Sequence, residues 1–79
     1  MERGYWLRFR RPSGIVFKRH YNGILLTVYQ VQDNPPVWLW RAQSNNHYLE
    51  GTCKSADYAK RSAVRAARDR WLLRRQVDR

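Results

Sequence analysis

The stretch Phe17-Lys18-Arg19-His20-Tyr21-Asn22-Gly23-Ile24-Leu25-Leu26-Thr27-Val28-Tyr29 decides the fold. Residues 15–20 and 23–32 are rich in β-branched and aromatic side chains, which suit a pleated, half-buried surface. Between them, Asn22-Gly23 supplies two residues that tolerate the positive φ a type I′ turn demands. The two runs therefore fold back on each other as a hairpin.

On the N-terminal side, residues 5–10 alternate, with Tyr5, Leu7 and Phe9 on one face of a strand and Trp6, Arg8 and Arg10 on the other. Arg11-Pro12-Ser13-Gly14 turns that strand into the hairpin. On the C-terminal side, Asp33-Asn34-Pro35-Pro36 stops the third strand, residues 37–42 make a fourth, and residues 47–52 a short fifth beyond the Ser44-Asn45-Asn46 turn. The expected sheet is an antiparallel meander of three to five strands.

From Ser55 the period changes. Ser55 is a good N-cap, Asp57 lies favourably against the helix dipole, and Ala56, Ala59, Ala63, Ala66 and Ala67 recur at helical spacing. One long C-terminal helix over residues 56–77 is expected, its alanine face lying close to the sheet. The fold class is α+β in a single domain, with the sheet in residues 1–54 and a basic helix in 55–79. On the opposite flank Arg61, Arg65, Arg68 and Arg75 form a stripe with no acid to answer it. The helix should overhang the sheet and project Trp71 with Arg75.

Charge is unevenly placed along the 79 residues. Sixteen Lys and Arg against six Asp and Glu give a net charge of +10. The excess lies at the two ends, in residues 1–20 and 55–79, while the middle is balanced. Such a chain presents either two basic edges or, if the ends meet, one basic patch. Arginine outnumbers lysine by thirteen to three. A planar fork that pairs with phosphate or carboxylate through two hydrogen bonds points to a polyanion or an acidic protein surface.

Other classes lack their equipment. A chain of this size buries only roughly 60 to 65% of its unfolded surface, too little for a deep cofactor cleft. One Cys and two His do not build a disulfide framework or a zinc site. Cys53 with His20 or His47 is set in no nucleophile motif, the acids are scattered, and the four glycines stand singly, so no catalytic residue, metal, cofactor or small-molecule substrate is expected. No apolar run reaches the length of a membrane span or a secretory signal. A cytoplasmic protein is expected.

Trp38-Leu39-Trp40-Arg41-Ala42, Tyr48-Leu49-Glu50-Gly51-Thr52-Cys53 and Ser55-Ala56-Asp57-Tyr58-Ala59 together resemble the sheet-plus-helix DNA-binding domains of phage integrase arms and plant ethylene-response factors. That resemblance covers about 25 residues, departs at the extra Glu50, and implies a sheet that reads a DNA groove, with Trp38, Trp40 and Arg41 as its contacts. Ser55, Ala59 and Lys60 are similar to the helix start of double-stranded RNA-binding domains, but Ala56 and Asp57 replace the two lysines that hold phosphate there. In size and aromatic content the chain also resembles small phage and prophage proteins, including anti-CRISPR proteins, which would place it in a bacterial host cytoplasm.

Two functions fit these readings. One is a non-enzymatic module that binds nucleic acid, DNA rather than RNA, through Arg8, Arg10, Arg11, Arg41, Arg61, Arg65, Arg68 and Arg75, with Trp6, Trp38, Trp40 and Trp71 as aromatic anchors. The other is an anti-CRISPR-type inhibitor that docks the same residues on an acidic or nucleoprotein host complex and blocks its DNA binding.

Overall fold

The computed structural model describes residues 5–45 and 47–70. Five antiparallel strands lie side by side in chain order: β1 Leu7–Arg11, β2 Gly14–Tyr21, β3 Ile24–Asp33, β4 Pro36–Gln43 and β5 Tyr48–Cys53. Two-residue turns join the first four. At the β2–β3 turn Asn22 has φ 50° and Gly23 φ 80°, the positive pair that a type I′ hairpin requires. At the β3–β4 turn the Asn34–Pro35 peptide is cis, and Gln32 Nε2 donates to the Pro35 carbonyl at 3.0 Å.

Register sets which side chains share a face. Val28 pairs with Phe17 and Trp40, and these three face the same way. Tyr29, paired with Val16 and Leu39, faces the opposite way. The first face is covered by helix α1, Ala56–Arg65, which continues into a π turn at Ala66–Arg70. Ser55 Oγ caps α1 by accepting from the Tyr58 amide at 3.2 Å, and Asp57 lies in its first turn.

The core is thin and lies between these two layers. Ile24, Leu26, Val28, Trp40 and Ala42 of the sheet meet Ala59, Ala63, Ala66 and Ala67. Among the described residues the fully buried side chains of the helical side are all alanines, with Val64 packed at their edge, so its backbone can lie close to the sheet. Gly51 of β5 has the same purpose for Trp40: a Cβ there would stand 2.8 Å from the indole Nε1. The missing side chain makes room for the ring.

The helix corrects one expectation. Among the described residues it is short: regular α-helix ends at Arg65 and gives way to a five-residue π turn, where the alanine spacing had implied a long continuous α-helix; residues 71–77 lie outside the described residues. Regular α spacing lines up Ala59, Ala63 and Ala66, which the sheet buries. The wider turn breaks that register where Ala66 and Ala67 are both buried. The expected overhang, with Trp71 and Arg75, lies outside the described residues. No helix among the described residues is long and apolar enough to cross a membrane.

Candidate nucleic-acid interface

Helix α1 packs over β3, β4 and β5 and leaves the neighbouring face of β1 and β2 beside it. Between them runs a groove of about 350 Å3. Its sheet wall is Trp6 and Arg19, and its helix wall is Lys60, Arg61, Val64, Arg65 and Arg68. Five of these seven side chains are cationic.

Local sequence explains both walls. Alternation along β2 turns Phe17, Arg19 and Tyr21 to the helix side, because they pair with the buried Val28, Leu26 and Ile24. On the helix, Arg61, Arg65 and Arg68 follow one another at four and three residues and so share a stripe. Lys60 and Val64 occupy the adjacent stripe, toward β2.

Aromatic rings support the cations. Lys60 Nζ stands 3.8 Å from the Phe17 ring centroid and 5.8 Å from that of Trp6. The Arg19 guanidinium carbon lies 5.9 Å from Trp6 and 5.4 Å from Tyr21. A ring face attracts a cation, so these contacts hold the charges in place without neutralising them. Arg19 Nε is buried and has no hydrogen-bond partner among the described residues.

Carboxylates answer little of this charge. Two ion pairs form among the described residues: Arg68 with Asp69 at 3.1 Å, and Arg41 with Glu50 at 3.7 Å on the other face of the sheet. The Asp69 hydrogen bond pushes the Arg68 guanidinium further up from its ordinary value, so it stays charged. Arg19, Lys60, Arg61 and Arg65 have no carboxylate within ion-pair distance among those residues.

The structure distributes the residues singled out by sequence over both faces. Trp6, Arg61, Arg65 and Arg68 meet in the groove. Arg8 and Arg10, exposed and paired with Phe17 and Ile15, continue its basic surface along β1. Arg11 and Arg41 face the opposite way, and Arg41 Nη2 donates to the Tyr29 hydroxyl at 3.4 Å. Trp38 is half-buried with its ring centroid 6.4 Å from that of Phe17. Trp40 is only 7% exposed and belongs to the core, which removes it as an exposed anchor. Trp38, Trp40 and Arg41 therefore do not form one DNA-reading surface: consecutive strand positions alternate, and both tryptophans turn toward the helix.

Arg19 and Lys60 were missed by sequence reasoning. The signal for Arg19 was a cation between Phe17 and Tyr21 on the apolar side of its strand. Lys60 hid beside Ala59, since the periodicity of the alanines drew attention to the opposite flank.

No protein family, curated protein or solved structure matches this chain. Cys53 Sγ, half-buried, lies 3.4 Å from Ser62 Oγ on the helix side, whereas His20 pairs with Leu25 on the opposite face, so these two cannot act together. Among the described residues no three His, Cys, Asp or Glu side chains gather as a metal site would need. What the groove can do is hold anions.

Proposed function

We propose that this protein is a non-enzymatic basic module that binds nucleic acid, DNA in preference to RNA, by gripping backbone phosphates in the groove between α1 and the β1–β2 face. One observation carries the reading: cations from the two charged ends of the chain, Arg19 on one side and Lys60, Arg61, Arg65 and Arg68 on the other, line a single concavity. Four of these cations have no carboxylate partner among the described residues and repel one another, and a polyanion relieves that repulsion while releasing its own counterions. A groove wall with a half-buried Trp6 also gives a sugar or base an apolar surface to rest on. The preference for DNA is supported by the helix start, where Ala56 and Asp57 stand in place of phosphate-holding lysines.

The test is the salt dependence of duplex DNA binding. With the five groove cations and Arg8 engaged, the slope of log affinity against log salt should be about −5. A flat response overturns the reading. A stoichiometric complex with a host protein in nuclease-treated lysate, without binding to bare duplex, would put the inhibitor function in its place.

A further inference from the structure

The sheet face turned away from α1 has no covering layer among the described residues. The strand register arranges its side chains in rows that cross the strands. One row is Phe9, Val16, Tyr29 and Leu39. The next is Leu7, Lys18, Thr27, Arg41 and Glu50. In the third, Tyr48 pairs with Gln43. Phe9 is 39% exposed and Tyr48 53%, large values for rings on a sheet.

Cations and rings interleave between these rows. Lys18 Nζ lies 5.8 Å from the Phe9 centroid, and the Arg41 guanidinium carbon lies 5.9 Å from Tyr29 and 5.6 Å from Tyr48. Glu50, paired with Arg41 and accepting a hydrogen bond from the Tyr48 hydroxyl, marks the β5 margin. We infer that this open face binds single-stranded DNA, stacking unpaired bases on Phe9, Tyr29 and Tyr48 while Lys18 and Arg41 meet the phosphates.

Width argues for unpaired bases. Five strands span about 19 Å, too broad a slab for the roughly 12 Å major groove, which admits a two-stranded ribbon. Splayed bases, by contrast, lie flat on an aromatic sheet and need positive charge between them. A second copy of the chain is a poor occupant. Pairing two copies through these faces would bring together chains of charge +10 each.

This inference takes its ligand class from the nucleic-acid reading but uses none of the groove residues. The experiment measures affinity for a short oligo(dT) and for a short duplex, using the intact chain and the Phe9→Leu/Tyr48→Leu double variant. Both positions are exposed, and a melting curve verifies the fold. The double variant should lose about tenfold or more in oligo(dT) affinity and keep its duplex affinity within about twofold. Bromouracil photocrosslinks in the intact chain should map to β1, β3 or β5.

Unchanged oligo(dT) affinity in the folded double variant, crosslinks confined to the helix side, or a dimer that the double variant dissolves would each overturn the inference. The two readings fail separately. Absent duplex binding with oligo(dT) binding intact sinks only the groove, and the converse sinks only the open face.

Discussion

Arg19 sits on the buried side of β2, between two aromatic rings, with its Nε out of contact with solvent and without a hydrogen-bond partner among the described residues. The cost to folding is that of one buried donor left without an acceptor, while the side chain lines the open groove. Arg19→Met keeps most of the stem packing and deletes the charge. Chemical denaturation should show the variant at least as stable as the parent, while the salt slope of duplex binding should become shallower by about one. Gly51 makes a contrasting case, in which function is not at stake. Gly51→Ala forces a Cβ against the Trp40 ring and should cost about 1–3 kcal/mol, read as a lower midpoint in urea with no change in salt slope.

At the level of elements, the hairpin and the N-cap follow from local chemistry. Asn22-Gly23 adopts the positive-φ pair, and Ser55 caps the helix that its position implied. Ser55→Ala should therefore remove about 1 kcal/mol, measured by thermal or urea unfolding. The end of the regular helix was not legible in the same way. The π turn falls where Ala66 and Ala67 are both buried, and that burial exists only once the sheet is in place. The side taken by each tryptophan was partly legible: alternation put Trp6 with Arg8 and Arg10, but nothing local revealed that Trp40 would lie over Gly51 as part of the core.

For the molecule as a whole, the decisive feature is where the two charged ends of the chain go. Composition established an excess of arginine, and its split between residues 1–20 and 55–79 left open whether the ends meet. Among the described residues, two structural facts bring Arg19 to the cations of residues 60–68: the meander returns the chain across the sheet to β5, and α1 then crosses back over β5, β4 and β3 until its outer flank faces β2. Both are tertiary, so no local pattern carried them. The result is a protein with two unlike faces. A cation-lined groove lies on the helix side, and an aromatic sheet with two interleaved cations lies on the other.

The central claim is that cations of β2 and α1 act as one binding surface. The most direct measurement is an NMR titration of the isotope-labelled chain with a short DNA duplex at moderate salt. Signals of the Trp6 indole, Arg19 and residues 60–68 should shift together and follow a single isotherm with one dissociation constant. Shifts restricted to the helix or to β2 alone, or two isotherms with different constants, would contradict it.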